Sequence, residues 1–219
     1  MLRQRPQGGP DTTRPRQALA LGTTANGDLF VQTSEVDFSR ILSRSNYNID
    51  DPTAVCLPNG LTRQIPSPYA QQWIQTPTQL VILYEYMHFF RVIPIGAPNR
   101  RHDANIEKTW MGDTIAWWEG DTLVLDTAGL KEWMWDASHE PSRWHSDQLH
   151  VVERLTYTDP MTATYDIALD DPKIFTAPWT TKWGMKLHPT WQILEFVCEE
   201  NNRCRAGDCK LSPEQEGQQ

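Results

Sequence analysis

HVVERLTYTDPMTATYDIALD, residues 150–170, is the stretch on which the fold reading turns. Two runs rich in β-branched and aromatic residues, 149–157 and 162–169, flank Thr158-Asp159-Pro160-Met161, so the segment reads as a β-hairpin. Side chains alternate between the faces of a strand, which turns sequence parity into geometry. One face carries Leu149, Val151, Glu153, Leu155 and Tyr157, joined across the turn by Tyr165, Ile167 and Leu169. The other carries His150, Val152, Arg154 and Thr156, with Thr164, Asp166, Ala168 and Asp170 opposite. The register that aligns these sets brings Arg154 near Asp166 and His150 near Asp170, both favourable cross-strand pairs. Glu153 is then a lone acid among apolar neighbours.

The same punctuation recurs along the chain. TIAWW and TLVLDT are joined by Glu119-Gly120-Asp121, a second hairpin. LVILYEYMHFFRVI, residues 80–93, reads as one long central strand with Val81, Leu83, Glu85, Met87, Phe89, Arg91 and Ile93 on one face. Its other face carries Leu80, Ile82, Tyr84, Tyr86, His88, Phe90 and Val92. WQILEFVC, residues 191–198, reads as the last strand, and SEVDFSRILSR, residues 34–44, as one short helix capped by Ser34. Many short strands with hairpin connections imply an all-β, antiparallel β-barrel of the calycin or lipocalin kind rather than a βαβ fold. Residues 1–30, rich in Pro, Gly, Gln, Thr and Arg, read as an extended N-terminal arm, 31–202 as a single barrel domain and 203–219 as a polar tail.

Composition narrows the function classes. A net charge of −8 argues against a nucleic-acid or anionic-membrane surface. No apolar run approaches the roughly 20 residues of a membrane helix, and the start of the chain lacks the apolar core of a signal peptide. Ten tryptophans exceed what core filling ordinarily uses, so indoles are expected either to pave a pocket for a small cyclic or aromatic molecule or to fill a bulky core. Of the four cysteines, Cys198, Cys204 and Cys209 form C-x5-C-x4-C, which fits a zinc ribbon poorly. Disulfides Cys56–Cys198 and Cys204–Cys209, formed in an oxidising compartment, are the expected alternative.

Charges among apolar neighbours must find partners or line a polar cavity. Glu85, His88, His150 and Glu153 are therefore the candidate proton carriers, because burial raises a carboxyl pKa and a nearby aspartate holds a proton on histidine. The bland alternative makes Arg91–Glu85 and Arg154–Asp166 structural ion pairs. Six histidines (His88, His102, His139, His145, His150 and His188) can also serve a metal, but no H-E-x-x-H motif is present, and His145 and His150 fall on opposite faces of a strand. A metal site would need loop residues to complete it. No G-x-S-x-G elbow or Gly-rich phosphate loop appears.

DPTAVCLPNGLTR, LVILYEYMHFFRVI, TWMGDTIAWWEGDTLVLDT, HSDQLHVVER, DDPKIFTAPWT and LEFVCEENN together resemble a family of uncharacterised bacterial proteins over about residues 51–202. The resemblance marks Cys56, Glu85, His88, Arg91, His145, His150, Glu153, Arg154, Asp170, Asp171 and Cys198. Many relatives carry export signals, which implies a periplasmic or secreted setting and leaves the cytoplasm open. The chain departs from the pattern at Gln72, where an acid is usual, and at Trp117, where an arginine is usual. A larger, less charged pocket mouth would follow.

The expectation is a cofactor-independent acid/base enzyme, a lyase, isomerase or hydrolase, acting on a small cyclic or aromatic substrate. Glu85, His88, His150 and Glu153 are expected to carry protons. Arg91, Arg154, Tyr86, His145, Trp117, Asp166 and Asp170 are expected to bind substrate. No metal ligand is assigned, although a divalent metal and a homodimer stay open. The competing expectations are a non-catalytic barrel that binds an apolar small molecule and a His/carboxylate metal-dependent enzyme.

Overall fold

A computed structural model describes residues 29–33, 53, 56–98, 100–136 and 143–200. The protein is mostly antiparallel β-sheet with little helix. Its strands are β1 (Leu29–Thr33), β2 (Gln71–Gln75), β3 (Gln79–Tyr84), β4 (Phe90–Pro94), β5 (Asp113–Glu119) and β6 (Thr122–Ala128). β7 (Trp133–Asp136), β8 (Arg143–His145), β9 (His150–Asp159), β10 (Thr162–Asp170) and β11 (Trp179–Leu187) follow. Among the described residues, a four-residue helix, α1 (Leu61–Gln64), stands between β1 and β2. The expected helix at 34–44 lies outside the described residues, as do Cys204, Cys209 and the tail. β1 begins at Leu29, just inside the stretch read as an arm.

Among the described residues, nine strands form one sheet in the order β4-β3-β2-β1-β11-β10-β9-β6-β5, and β7 and β8 pair separately. The two hairpins read from turn chemistry are present. β9 and β10 meet across Pro160-Met161 with Arg154 opposite Asp166 and His150 opposite Asp170, and β5 and β6 meet across Gly120-Asp121. The sheet curls until its end strands touch: Ile95, just past β4, forms a parallel bridge with Ala116 of β5, and the Gly96 amide donates to the Ala116 carbonyl at 2.8 Å. This seam is an isolated bridge rather than a ladder, so the hydrogen bonding does not close into a complete barrel among the described residues.

Two strand expectations are corrected. Residues 80–93 are not one strand. The chain reverses between β3 and β4 through a 3-10 turn at Tyr86–His88, closed by the Tyr84 amide on the Phe89 carbonyl at 2.9 Å. Met87 (φ 61°) and His88 (φ 53°) take the left-handed conformation the reversal needs, which no glycine or proline announces. The parity count therefore breaks at Glu85. Arg91 falls on the face of Leu80, Ile82 and Tyr84, not with Val81 and Leu83, since Arg91 pairs with Ile82. Nor is 191–198 the last strand. That role belongs to β11, whose Trp179, Thr181, Trp183, Met185 and Leu187 alternate with Thr180, Lys182, Gly184 and Lys186. Residues 191–197 run without ladder pairing and are held by side chains and by the expected Cys56–Cys198 disulfide, Cα–Cα 5.6 Å.

The concave face holds the core. Leu80, Ile82, Ile93, Leu125, Val151, Leu155, Ile167, Leu169 and Met185 are all buried there, with Trp73 and Tyr165 packed edge to face at 6.3 Å. Burial of so many branched side chains on one face at about 25 cal/mol per Å2 supplies the main driving force for the curl.

Candidate functional site

Glu153 lies on this inner face, wholly buried. Its partner is Arg91, whose Nη1 donates to Oε1 at 3.0 Å and Nη2 to Oε2 at 2.7 Å, a two-pronged pair. Arg91 Nη2 also donates to the hydroxyls of Thr114 and Thr127, at 2.9 and 3.0 Å. Nη1 reaches the Tyr84 hydroxyl at 3.3 Å, and the Tyr165 hydroxyl donates to Glu153. Burial pulls the Arg91 pKa down, but the charge of Glu153, with Tyr84 and Tyr165, more than offsets it and keeps the guanidinium protonated. Burial pushes the Tyr84 phenol up to about 12 and the Tyr165 phenol well above its usual value. Every oxygen of Glu153 is thus committed to a structural network. The partner expected for Arg91, Glu85, is not the one it has.

Glu85 and His88 stand at the reversal between β3 and β4, not on a strand. Glu85 Oε2 accepts the Leu194 amide at 2.9 Å and His88 Nε2 accepts the Phe196 amide at 3.2 Å. Tyr86 stacks on Tyr69 at 4.8 Å and meets Phe196 edge-on at 4.8 Å. Together these contacts strap the segment before Cys198 onto the sheet. Glu85 also borders an open cleft of about 510 Å3 with Tyr69, Trp191 and Leu194.

His150 and Arg154 emerge on the outer face of β9. Arg154 does not take Asp166: it donates to Glu119 Oε2 at 2.5 Å, while Asp166 pairs with Lys182 at 3.0 Å. Glu119 lies two strands away from Arg154, and the long arginine side chain reaches it across β6. Trp117 Nε1 donates to the same Glu119 at 2.8 Å, so this indole also lies outside the core. His145 is buried, its Nδ1 at 3.0 Å from the Ser146 carbonyl, and burial lowers its pKa. The neighbouring Asp171 is committed to Ser146, at 2.6 Å from its amide and 2.7 Å from its hydroxyl.

His150 meets an acid the sequence reading passed over. Its Nε2 is 2.5 Å from Asp126 Oδ1, a diagonal neighbour on β6, since Asp126 pairs with Val152. The same Oδ1 is 3.1 Å from Nε2 of His102, on the loop between β4 and β5. The other ring nitrogen of His102, Nδ1, is 2.7 Å from Asp113 Oδ2. Asp113, Asp126 and His150 share the outer face of three adjacent strands, and His102 slots between the two aspartates. Asp170 lies opposite His150 in register. Burial alone would raise the Asp126 pKa, but hydrogen bonds from His150 and His102 outweigh it and hold the carboxyl below its ordinary value. The bond to Asp126 raises the His150 pKa against the opposing effect of burial.

The four expected proton carriers, then, do not converge: Glu153 is inside, Glu85 and His88 stand together at the strap, and His150 belongs to a separate cluster on the outer face. Asp126 was legible as an acid in the TLVLDT strand, and Asp113 lay just before TIAWW in what reads as a turn. Neither stood out, because their partners lie on strands not adjacent in sequence and on a loop.

A polar cleft of about 610 Å3 adjoins this cluster, bordered by Arg100, Arg101, Asp103, Asn105 and Asp113. No described helix is long and apolar enough to cross a membrane. Comparison of the chain with protein-family models, curated proteins and solved structures finds no match.

Proposed function

We propose that the protein is an acid/base enzyme, a lyase, isomerase or hydrolase, whose proton-transfer site is the outer-face array His150–Asp126–His102–Asp113. The observation that carries this reading is the double contact of Asp126 Oδ1 with two imidazole Nε2 atoms, at 2.5 and 3.1 Å. A carboxylate shared by two imidazoles fixes the orientation of both rings and stores a proton where a substrate can reach it. His150 is 42% exposed at its side chain, so the array opens to solvent. The adjoining cleft suits a small molecule, with Arg100 and Arg101 available to an anionic group on it. Arg91 and Arg154 are engaged with Glu153 and Glu119 and drop out of that role.

The curled sheet is read as a calycin-like barrel whose interior is core rather than binding cavity. The disulfide and the motif resemblance support an exported bacterial protein.

The test is turnover on a panel of small lactones, esters and hydroxy acids. Activity should fall at least about 100-fold in His150→Ala and Asp126→Asn with the circular dichroism intact. It should persist in Glu85→Gln and His88→Ala. Turnover unchanged in both array variants would overturn the assignment.

A second reading, a carrier of an apolar molecule, is favoured by the cleft beside Tyr69, Trp191 and Leu194. Saturable quenching of tryptophan fluorescence by an apolar ligand, lost in Trp191→Ala, would support it.

A further inference from the structure

We propose that His102, Asp126 and His150 form the protein side of a divalent transition-metal site, with Asp113 as the outer carboxylate that orients His102. This inference rests on the acid/base reading above and supplies its chemistry: water on the metal would be the group that exchanges protons.

The donor set is the first argument. One ligand atom each from His102, Asp126 and His150 can be chosen so that all three lie within 4.8 Å of one another. Around a metal with bonds of about 2.0–2.2 Å, tetrahedral ligand atoms sit about 3.3 Å apart. The 3.1 Å between His102 Nε2 and Asp126 Oδ1 already matches. The 2.5 Å between His150 Nε2 and Asp126 Oδ1 needs only a small opening, which the partly exposed His150 side chain can supply. Two imidazoles and one carboxylate select zinc or iron(II) over magnesium or calcium, which take oxygen ligands.

The second argument is the placement of Asp113. Its Oδ2 sits 2.7 Å from His102 Nδ1, so a ring that donates Nδ1–H to Asp113 turns the Nε2 lone pair toward Asp126 and His150. Carboxylates hold metal-bound histidines in this way, fixing the tautomer and strengthening the ligand.

The third argument is access. Side-chain exposures of 16%, 21% and 42% for His102, Asp126 and His150 leave one side of the cluster open. Three protein ligands with an open position are the signature of a catalytic rather than a structural site. A divalent ion held there by His102, Asp126 and His150 would make bound water acidic enough to exchange protons with solvent near neutral pH. The excess of acids over bases, net −8, favours cation uptake throughout.

The experiment uses full-length chain stripped with chelator and titrated with Co2+, followed by its visible ligand-field bands and by metal analysis. One Co2+ per chain, displaced by Zn2+, is expected. Affinity should fall at least about 100-fold in His150→Ala and in Asp126→Ala, and about 10–100-fold in Asp113→Asn. No stoichiometric uptake, or uptake unchanged in His150→Ala and Asp126→Ala, overturns the proposal. His150 is half-exposed at a sheet surface, so its variant keeps the fold even where the Asp126 variant does not. Turnover on the same samples separates the two readings. A chain that binds no Co2+ yet loses turnover in His150→Ala overturns the metal and keeps the acid/base reading. Stoichiometric Co2+ with turnover unchanged in both His150→Ala and Asp126→Asn keeps the metal and overturns the enzyme assignment.

Discussion

Arg91 and Glu153, 62 residues apart in sequence, face each other across the inside of the curled sheet through two hydrogen bonds of 3.0 and 2.7 Å. Both side chains are almost fully buried. Removing one partner strands the other charge in an apolar interior, so Glu153→Gln or Arg91→Met should destabilise by about 3–5 kcal/mol. Replacing both, Arg91→Met with Glu153→Leu, should recover much of that loss. Arg154→Ala, which removes the exposed pair with Glu119, should change stability by less than about 1 kcal/mol. Urea unfolding of the four variants checks the set; equal effects at the two arginines would contradict the buried placement.

Gly112 decides how β5 begins and therefore where Asp113 points. Its φ is +70°, and a Cβ there would lie 2.6 Å from Thr127 Cγ2 and 2.7 Å from the Ala128 carbonyl oxygen. Gly112→Ala should cost at least about 1–3 kcal/mol and should weaken metal uptake with Asp113 displaced. Gly120, in the β5–β6 turn at φ +61°, has nothing within 4 Å of such a Cβ. Gly120→Asn should therefore be tolerated, and melting curves of the two variants should differ clearly.

Asp147 stands between Lys108 and Lys173, the latter at 2.6 Å. Hydrogen bonds from Lys108 and then Lys173 draw its pKa from 3.8 down to about 2. Because the folded value lies below the unfolded one, the contribution is complete above about pH 4 and is lost as pH falls toward 2. The stability difference between wild type and Asp147→Asn should shrink over that window, and high salt should shrink it at any pH. A difference that stays constant from pH 6 to 2 would refute the assignment.

The Cys56–Cys198 bridge closes a loop of sequence separation 142. Chain-entropy arithmetic puts its contribution near 5 kcal/mol as an upper figure. In Cys56→Ser/Cys198→Ser the midpoint of unfolding should drop, and amide exchange should rise first in residues 191–198. Glu85 and His88 hold that segment by only one hydrogen bond each. Exchange rising equally in β9 and β10 would show instead that the bridge supports the whole sheet.

Residues 150–170 determined a good deal by themselves. Turn chemistry at Asp159-Pro160 and the strict alternation around it set the hairpin, its register and which residues share a face, because those follow from local sterics. The same holds for Gly120 and the β5–β6 pair, whereas the Cys56–Cys198 pairing, expected but open on sequence grounds, joins residues 142 apart and needs the folded chain to bring them together. What no local rule supplies is the reversal at Met87 and His88, where ordinary residues take left-handed backbone angles and carry Arg91 to the opposite face.

Tertiary structure alone decided which face turned inward. Burial is a property of the whole sheet: only when β9 is flanked by β6 and β10 and the sheet curls does Glu153 meet Arg91, leaving His150 outside. The outer cluster depends on pairing between β6 and β9, which are not neighbours in sequence, and on a loop that delivers His102 between two aspartates. Alternation names the two sets of side chains; long-range packing assigns one to the core and the other to solvent, where chemistry is accessible.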